Sequence, residues 1–168
     1  MREHRLILRA VRLLERALER INRGEVPSFL PELLEFFGEY ADLCHHAKEE
    51  AVLFSAASEA MGCEGGPLGM LVCEHMRLRR LRQEMKKRLG TPEFRRPAEE
   101  FCALLREHIQ KEDEGVFPMT EAHLPPEEDD RLLQGYEEYM QRLRVAMDWE
   151  ERLRDWEALA AKQEEEDG

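Results

Sequence analysis

A ten-residue segment occurs twice in this chain of 168 residues, and each copy pairs a histidine with a glutamate four residues later. The copies span residues 45–54 and 108–117, and both read His-x-x-Lys-Glu-acidic-x-x-aliphatic-Phe. Residues i and i+4 lie one above the other on the same face of an α-helix. Each copy can therefore direct an imidazole and a carboxylate at one point, and two facing copies would form a pocket for metal.

The composition favours an all-helical protein, because Leu, Glu, Arg and Ala are abundant while β-branched residues are few. Apolar periodicity predicts five helices, over about residues 2–22, 28–61, 68–89, 93–122 and 127–161. Residues 62–69 contain four glycines and a proline and are predicted to form a loop. We therefore expect an all-α fold.

Four amphipathic helices joined by short connections predict an up-down-up-down four-helix bundle over residues 1–124. The additional long C-terminal helix belongs to an acidic segment, residues 125–168, whose end is expected to fray. Its apolar stripe predicts packing on the parent bundle, because such stripes usually face their own core. A homodimer formed through this helix is the alternative.

The formal net charge of −12 argues against binding to nucleic acid or to anionic membranes, because both repel an acidic protein. No apolar run approaches the length of a membrane span, and the N-terminus lacks the apolar core of a signal peptide, so we expect a cytoplasmic protein. The four cysteines form no Cys-x-x-Cys pair, which excludes a zinc knuckle and a thioredoxin-like motif.

The repeat extends beyond the two segments. Glu3-His4 near the start of the first helix corresponds to Glu74-His75 in the third helix. The chain thus consists of two helical hairpins, each with a lone histidine and a His-x-x-x-Glu pair. A single such pair is commonly a surface feature, but the recurrence of all the parts favours a metal site in a bundle core. The predicted metal ligands are His4, His45, Glu49, His75, His108 and Glu112.

Imidazole nitrogens and carboxylate oxygens together suit iron, manganese or zinc. Six such ligands are too many for one tetrahedral zinc ion. They suit two metal ions, bridged by both carboxylates and each bound by two imidazoles. This arrangement leaves coordination positions open for O2, peroxide, NO or a bridging oxo or hydroxo group.

The order and spacing of these six residues resemble the hemerythrin-like, or HHE cation-binding, family over about residues 2–122. The resemblance implies a hemerythrin-like four-helix bundle with a non-haem di-iron centre, in which both glutamates bridge two iron ions that share an oxo or hydroxo group. It implies binding of, or reaction with, O2, peroxide or NO. The alternatives are iron storage, delivery or sensing, or repair of iron centres, and whether the protein is an enzyme stays open.

Two features differ from the oxygen carriers of that family. The carriers have a fifth histidine four residues after the third-helix ligand, where this chain has Arg79. The site is therefore expected to be symmetric, which argues against simple oxygen transport. The carriers also place the second carboxylate five residues after its histidine, which here is Asp113. We prefer Glu112 because it repeats the spacing of Glu49.

Other polar residues of the repeat have competing interpretations. His46 could pair with Glu50, but the second copy has Ile109 in the position of His46, which suggests a packing role. Glu50 and Asp113 directly follow the predicted ligands, so their side chains point away from the ligand face of the helix. They are expected on the surface or behind the ligands. The lysine that recurs in each copy is expected in solvent, or as a charge that supports the site. His123 follows the repeat and is expected on the surface.

Overall fold

The computed structural model describes residues 2–61, 66–143 and 148–167 of the chain. Within these ranges the regular elements are all helical, which confirms the predicted all-α class. In chain order they are α1 (Arg2–Ile21), α2 (Leu30–Phe36), π1 (Phe37–His46), π2 (Glu49–Leu53), α3 (Phe54–Met61), α4 (Gly66–Arg88), a 3-10 turn (Pro92–Phe94), α5 (Arg95–Lys111), π3 (Glu112–Val116), α6 (Phe117–His123), α7 (Glu128–Leu143) and α8 (Trp149–Asp167).

Two of the predicted helices are continuous helical runs that contain π-helical turns. Residues 30–61 form one run from α2 to α3, and residues 95–123 form the other from α5 to α6. The π-helical turns coincide with the repeated segments, since π1 ends at His46, π2 begins at Glu49 and π3 begins at Glu112. Such turns inside α-helices frequently mark functional sites, because the i→i+5 pattern changes which side chains face one point.

The helix ends follow local chain chemistry. α1 ends just before Asn22-Arg23-Gly24, where Gly24 adopts a φ of 87° that favours glycine. The predicted loop over residues 62–69 is partly wrong, because α4 already begins at Gly66. Residues 62–65 of that loop lie outside the described residues.

Two apolar clusters fill the interior. The larger one joins α1, α2, π1, α4, α5 and α8 around side chains such as Leu14, Leu34, Phe36, Met85 and Leu105. The smaller one includes Leu53, Phe54, Leu71 and Val116, with Leu132 and Tyr136 of α7 packed against it. Along both runs and along α4, buried histidines and glutamates fall between the residues of one cluster and those of the other. Apolar burial on both sides thus holds a polar layer that is costly to bury by itself.

The single long helix predicted over residues 127–161 is wrong, because Asp148 is not helical and a new helix starts at Trp149. The Asp148 carboxylate accepts a hydrogen bond from the backbone N–H of Glu151 at 3.1 Å, as the side chain of an N-cap residue does. Residues 144–147, which that prediction also covered, lie outside the described residues. The apolar spacing continues past this break, so periodicity alone did not reveal it.

α7 and α8 pack on different parts of the bundle. Trp149, Leu153 and Trp156 of α8 are buried in the larger cluster beside α1. α7 packs against the smaller cluster, and its Gly135 allows a close approach to Val52, because a Cβ atom there would lie 2.9 Å from Val52 Cγ1. Described residues of both α7 and α8 therefore contact the apolar clusters.

The up-down-up-down order of the bundle and the homodimer contact stay predictions. Among the described residues, no helix combines the length and the apolar character that a membrane crossing requires.

Candidate metal centre

The six residues predicted as metal ligands lie together in the polar layer, and none of them is more than 3% exposed. Their ligand atoms form two groups of four, and within each group all atoms lie within 4.8 Å of one another. One group contains His4, His45, Glu49 and Glu112, and the other contains Glu49, His75, His108 and Glu112. Both glutamates thus belong to both groups and lie between two pairs of histidines. Each group could hold a metal ion.

The two histidine pairs have nearly the same geometry. Nε2 of His4 lies 3.0 Å from Nε2 of His45, and Nε2 of His75 lies 2.9 Å from Nε2 of His108. Two nitrogens that are each about 2.1 Å from one metal ion and about 90° apart are separated by about 3.0 Å. Each pair is therefore spaced as two neighbouring ligands of a single ion would be.

Each of these histidines contacts a carboxylate through its other ring nitrogen. The Nδ1 contacts are His4 to Asp113 at 2.9 Å, His45 to Glu3 at 3.0 Å, His75 to Glu50 at 2.7 Å and His108 to Glu74 at 2.9 Å. A carboxylate accepts, so each Nδ1 carries a hydrogen, and in the neutral imidazole Nε2 then has its lone pair toward the centre. Two lone pairs then face each other in each pair, and a cation between them removes this repulsion.

The outer carboxylates follow a two-fold pattern. Glu3 and Glu74 each hold the histidine of the repeated segment in their own half of the chain, whereas Glu50 and Asp113 each hold the lone histidine of the other half. Sequence reasoning missed the role of Glu3 and Glu74. The signal was present, because both directly precede a lone histidine in the repeat.

The recurring lysines and phenylalanines also have equivalent contacts. Lys48 donates to Glu3 at 2.6 Å, and Lys111 donates to Glu74. The Phe54 ring stacks on His75 with centroids 5.9 Å apart, and the Phe117 ring stacks on His4 at 5.6 Å.

Phe54 and Phe117 thus each cover a lone histidine of the other half. Every recurring polar or aromatic residue of the repeated segment contacts the centre or a residue that supports it.

The two central glutamates are unfavourable to bury when no cation is bound between them. None of their four carboxylate oxygens has a hydrogen-bond partner among the described residues. The pKa of Glu49 is raised well above its usual range because the side chain is buried and faces Glu112. Burial acts to raise the pKa of Glu112 as well, but contacts with His108 and His4 outweigh it and lower the pKa. Buried carboxylate oxygens without donors fit a bound cation.

Burial shifts the pKa of two of these imidazoles toward the neutral form, which is the form that binds metal. Burial lowers the pKa of His45 and of His75, although the contacts with Glu3 and Glu50 act in the opposite direction. Burial also acts to lower the pKa of His108, but its contacts with Glu112 and Glu74 outweigh this effect and raise it.

Arg79, at the position of the carriers' fifth histidine, takes no part in either group of four. Its guanidinium donates to Asp42 at 2.6 Å and to Glu50 at 2.9 Å, so it supports the carboxylate that holds His75. Asp113, the alternative to Glu112, lies behind His4 and is 41% exposed at its side chain, whereas Glu112 belongs to both groups.

The remaining candidates have other surroundings. His123 is exposed and contacts the backbone oxygen of Met119 through Nδ1 at 2.8 Å. Cys44 directly precedes His45 in the sequence, but it is buried, and this burial raises the pKa of its thiol to about 11, so it is not a reactive thiolate. His46 is buried next to His75 and His108, which the sequence did not predict.

A cavity of about 510 Å³ adjoins the centre on the side of His4 and His45. Its wall includes Glu49 and the residues that support these histidines, namely Glu3, Lys48 and Phe117. Leu132 and Tyr136 of α7 also line it. A small molecule that enters this cavity would therefore meet Glu49 and the residues that support His4 and His45.

Fold and site together define a helical-bundle protein with a buried cluster of histidines and carboxylates suited to cations. The model of the family described as Hemerythrin HHE cation binding domain matches residues 1–120, and the chain belongs to this family. α7 and α8 lie beyond the matched residues. Comparisons with curated proteins and with solved structures found no match.

Proposed function

We propose that the protein binds two iron ions in this layer and that the centre binds or reacts with O2, peroxide or NO. One observation carries the proposal: Glu49 and Glu112 belong to both groups of four, and each group adds a separate pair of histidines. The glutamates would bridge the ions, with His4 and His45 on one and the second histidine pair on the other. Iron, when bound, supplies open coordination positions and a change of oxidation state.

The residues around the ligands fix the centre and exclude bulk water. The outer carboxylates orient each imidazole and increase its basicity, as such partners do in metal sites. Phe54 and Phe117 cover the lone histidines with apolar rings. The cavity lined by Glu49 and by Glu3, Lys48 and Phe117, which support His4 and His45, favours access for small ligands from that side.

The first test is metal analysis of protein produced with iron or reconstituted without oxygen. We expect about two iron ions per chain, and after oxidation the near-ultraviolet absorption of a bridged diferric centre. Background iron after reconstitution would refute the proposal. Manganese or zinc at the same stoichiometry would keep the site and change the metal.

A pair of variants separates the site from nonspecific binding. Replacing His108 and Glu112 together by alanine should abolish binding of at least one ion, because it removes an imidazole and a bridging carboxylate. The matched control replaces Gln110 and Glu114, an exposed hydrogen-bonded pair with the same spacing in the same helical run. The control should keep wild-type metal content, and circular dichroism should show both proteins folded.

The second test addresses the small ligand. The reduced, iron-loaded protein should change its absorption spectrum on titration with NO or peroxide, at a ratio set by the centre. If the absorption spectrum of the reduced di-iron centre does not change with O2, NO or peroxide, this result would favour storage or delivery of iron instead.

A sensing function is the second candidate, because a chain of contacts links the centre to α7. Glu3 holds His45, Lys48 donates to Glu3, and the Lys48 ammonium lies 5.3 Å from the centroid of the Tyr136 ring. Metal loading should then alter hydrogen exchange in α7.

Lys48→Met should uncouple α7 from the metal, whereas Lys111→Met, at the equivalent lysine of the other half, should leave the coupling intact. Equal exchange rates in α7 with and without metal would exclude this route.

A further inference from the structure

His46 is a buried polar residue that the two-fold pattern leaves unexplained. Its side chain is 3% exposed, and its Nε2 atom is buried without a hydrogen-bond partner among the described residues. Buried polar atoms in folded proteins nearly always have a partner, so this nitrogen calls for one.

The position of His46 indicates what that partner is. One ring nitrogen each from His46, His75 and His108 forms a third group within 4.8 Å, in addition to the two groups of four. The His46 ring centroid lies 4.2 Å from that of His75 and 5.2 Å from that of His108. These separations are close to the 4.6 Å between the rings of His75 and His108 themselves.

Local backbone geometry explains how two consecutive histidines reach one layer. His45 and His46 are the last residues of π1. Successive side chains on an α-helix point about 100° apart, which would direct His46 away from the site. A π-helical turn contains more residues, so it rotates less per residue and brings His46 closer to the inward face than an α-helical turn would.

The second half of the chain has no equivalent of His46. The matching position is Ile109, which is buried at 3% exposure and has no ligand atom. One end of the centre therefore has three imidazoles nearby, and the other end has two. The sequence suggested a symmetric site, whereas the imidazole surroundings of its two ends differ.

We propose that His46 is a fifth imidazole ligand, bound to the metal ion that His75 and His108 hold. The inference rests on the proposed two-metal centre and deepens it. With an added nitrogen, that ion has fewer open positions than its neighbour. The ion at His4 and His45 is then the one that takes the small ligand, and the residues that support these histidines, Glu3, Lys48 and Phe117, line the 510 Å³ cavity.

Two variants test the role of the nitrogen against a role in packing. His46→Phe keeps an aromatic ring beside His75 but removes both nitrogens, and His46→Ile copies the residue that the second half has at this position. Both should still bind about two iron ions, because the six proposed ligands remain. Ile109→Val is the matched control at the equivalent position.

Mössbauer spectra of protein loaded with isotopically enriched iron provide the readout. The wild type and the Ile109→Val control should show two distinct iron sites, and the His46 variants should show altered parameters for one of them only. Unchanged parameters for both irons would overturn the inference and leave the two-metal centre standing. A wild type that binds no metal would overturn the two-metal centre itself.

A measurement on the wild type alone covers the case in which the variants fail to fold. Protein loaded with Co²⁺ should show five hyperfine-shifted imidazole N–H resonances by proton NMR, one for each bound histidine. Four such resonances would overturn the inference and assign His46 to packing.

Discussion

The Nδ1–H of His75 donates to Glu50 Oε1 at 2.7 Å, and these residues come from opposite halves of the repeat. His4 and Asp113 form the reciprocal contact at 2.9 Å. Each lone histidine is therefore oriented by the repeated segment of the other half. Neither helical hairpin can form a complete histidine pair with its supports by itself, which couples the metal centre to the packing of the two halves.

Asp113→Asn tests this crossed support. The amide lacks the charge of the carboxylate, so His4 becomes a weaker ligand, and the affinity for the metal ion at His4 should fall by about 10-fold to 100-fold. Competition with a chelator of known affinity measures the change. Glu114→Gln, at the exposed neighbouring residue, is the control and should bind like the wild type. An affinity within about twofold of the wild type for Asp113→Asn would show that the contact does not support the ligand.

The spacing of the repeat was enough to predict that each His-x-x-x-Glu pair shares one face of a helix. The recurrence of the parts then predicted that the six candidate ligands lie close together, as their atoms do. The supporting acids were harder to predict. Whether Glu50 contacts His75 or solvent depends on how two helices face each other, and one sequence does not specify that.

The position of His46 depends on a π-helical turn, which leaves no periodic signal in residues 37–46. The break at Asp148 was hidden for a related reason. Apolar residues on both sides of it keep a helical spacing, although they face different clusters.

Metal removal should destabilise the protein, because metal binds the folded state and the apo layer contains facing lone pairs and carboxylates without donors. At a free metal concentration about 100 times the dissociation constant, linkage gives about 2.7 kcal/mol. For a chain of this size each kcal/mol shifts the melting temperature by about 2–4 °C, so chelation should lower it by about 5–10 °C. Differential scanning calorimetry measures this.

The variant lacking both His108 and Glu112 provides the control for that experiment. Its melting temperature should respond much less to the chelator, because a bridging carboxylate and an imidazole are missing. Equal responses in the two proteins would place the stabilising metal elsewhere.

α8 should be required for the stability of the bundle, although it lies outside the residues that the family model matches. Leu153 is 0% exposed in the larger apolar cluster. Leu153→Ala should therefore lower the free energy of unfolding by about 2–5 kcal/mol, as burial and cavity terms add. Leu159→Ala, at a position 36% exposed on the same helix, should cost well under that amount. Urea denaturation measures the free energy of unfolding of both variants. A decrease below about 1 kcal/mol for Leu153→Ala would mean that α8 packs weakly.

The contact between Arg9 and Glu157 should make a pH-dependent contribution to the free energy with which α8 packs on α1. Arg9 donates two hydrogen bonds, from Nε at 2.9 Å and from Nη2 at 2.7 Å, to the two carboxylate oxygens of Glu157. This hydrogen bonding lowers the pKa of Glu157. A lowered pKa in the folded state stabilises the fold above the unfolded value of about 4.3, and the contribution is lost as the pH falls through the folded value.

Glu157→Gln should therefore lower the free energy of unfolding at neutral pH by about 0.2–1 kcal/mol, a small effect because the pair is partly exposed and screened by solvent. Urea denaturation of both proteins over a pH series gives the difference, from which the contribution of the metal centre cancels. The difference should narrow as the pH falls below about 4.3, because protonation of Glu157 makes the wild type resemble the variant. A difference that stays constant or grows on acidification would show that the side chain acts through packing and that its charge has no part in docking α8.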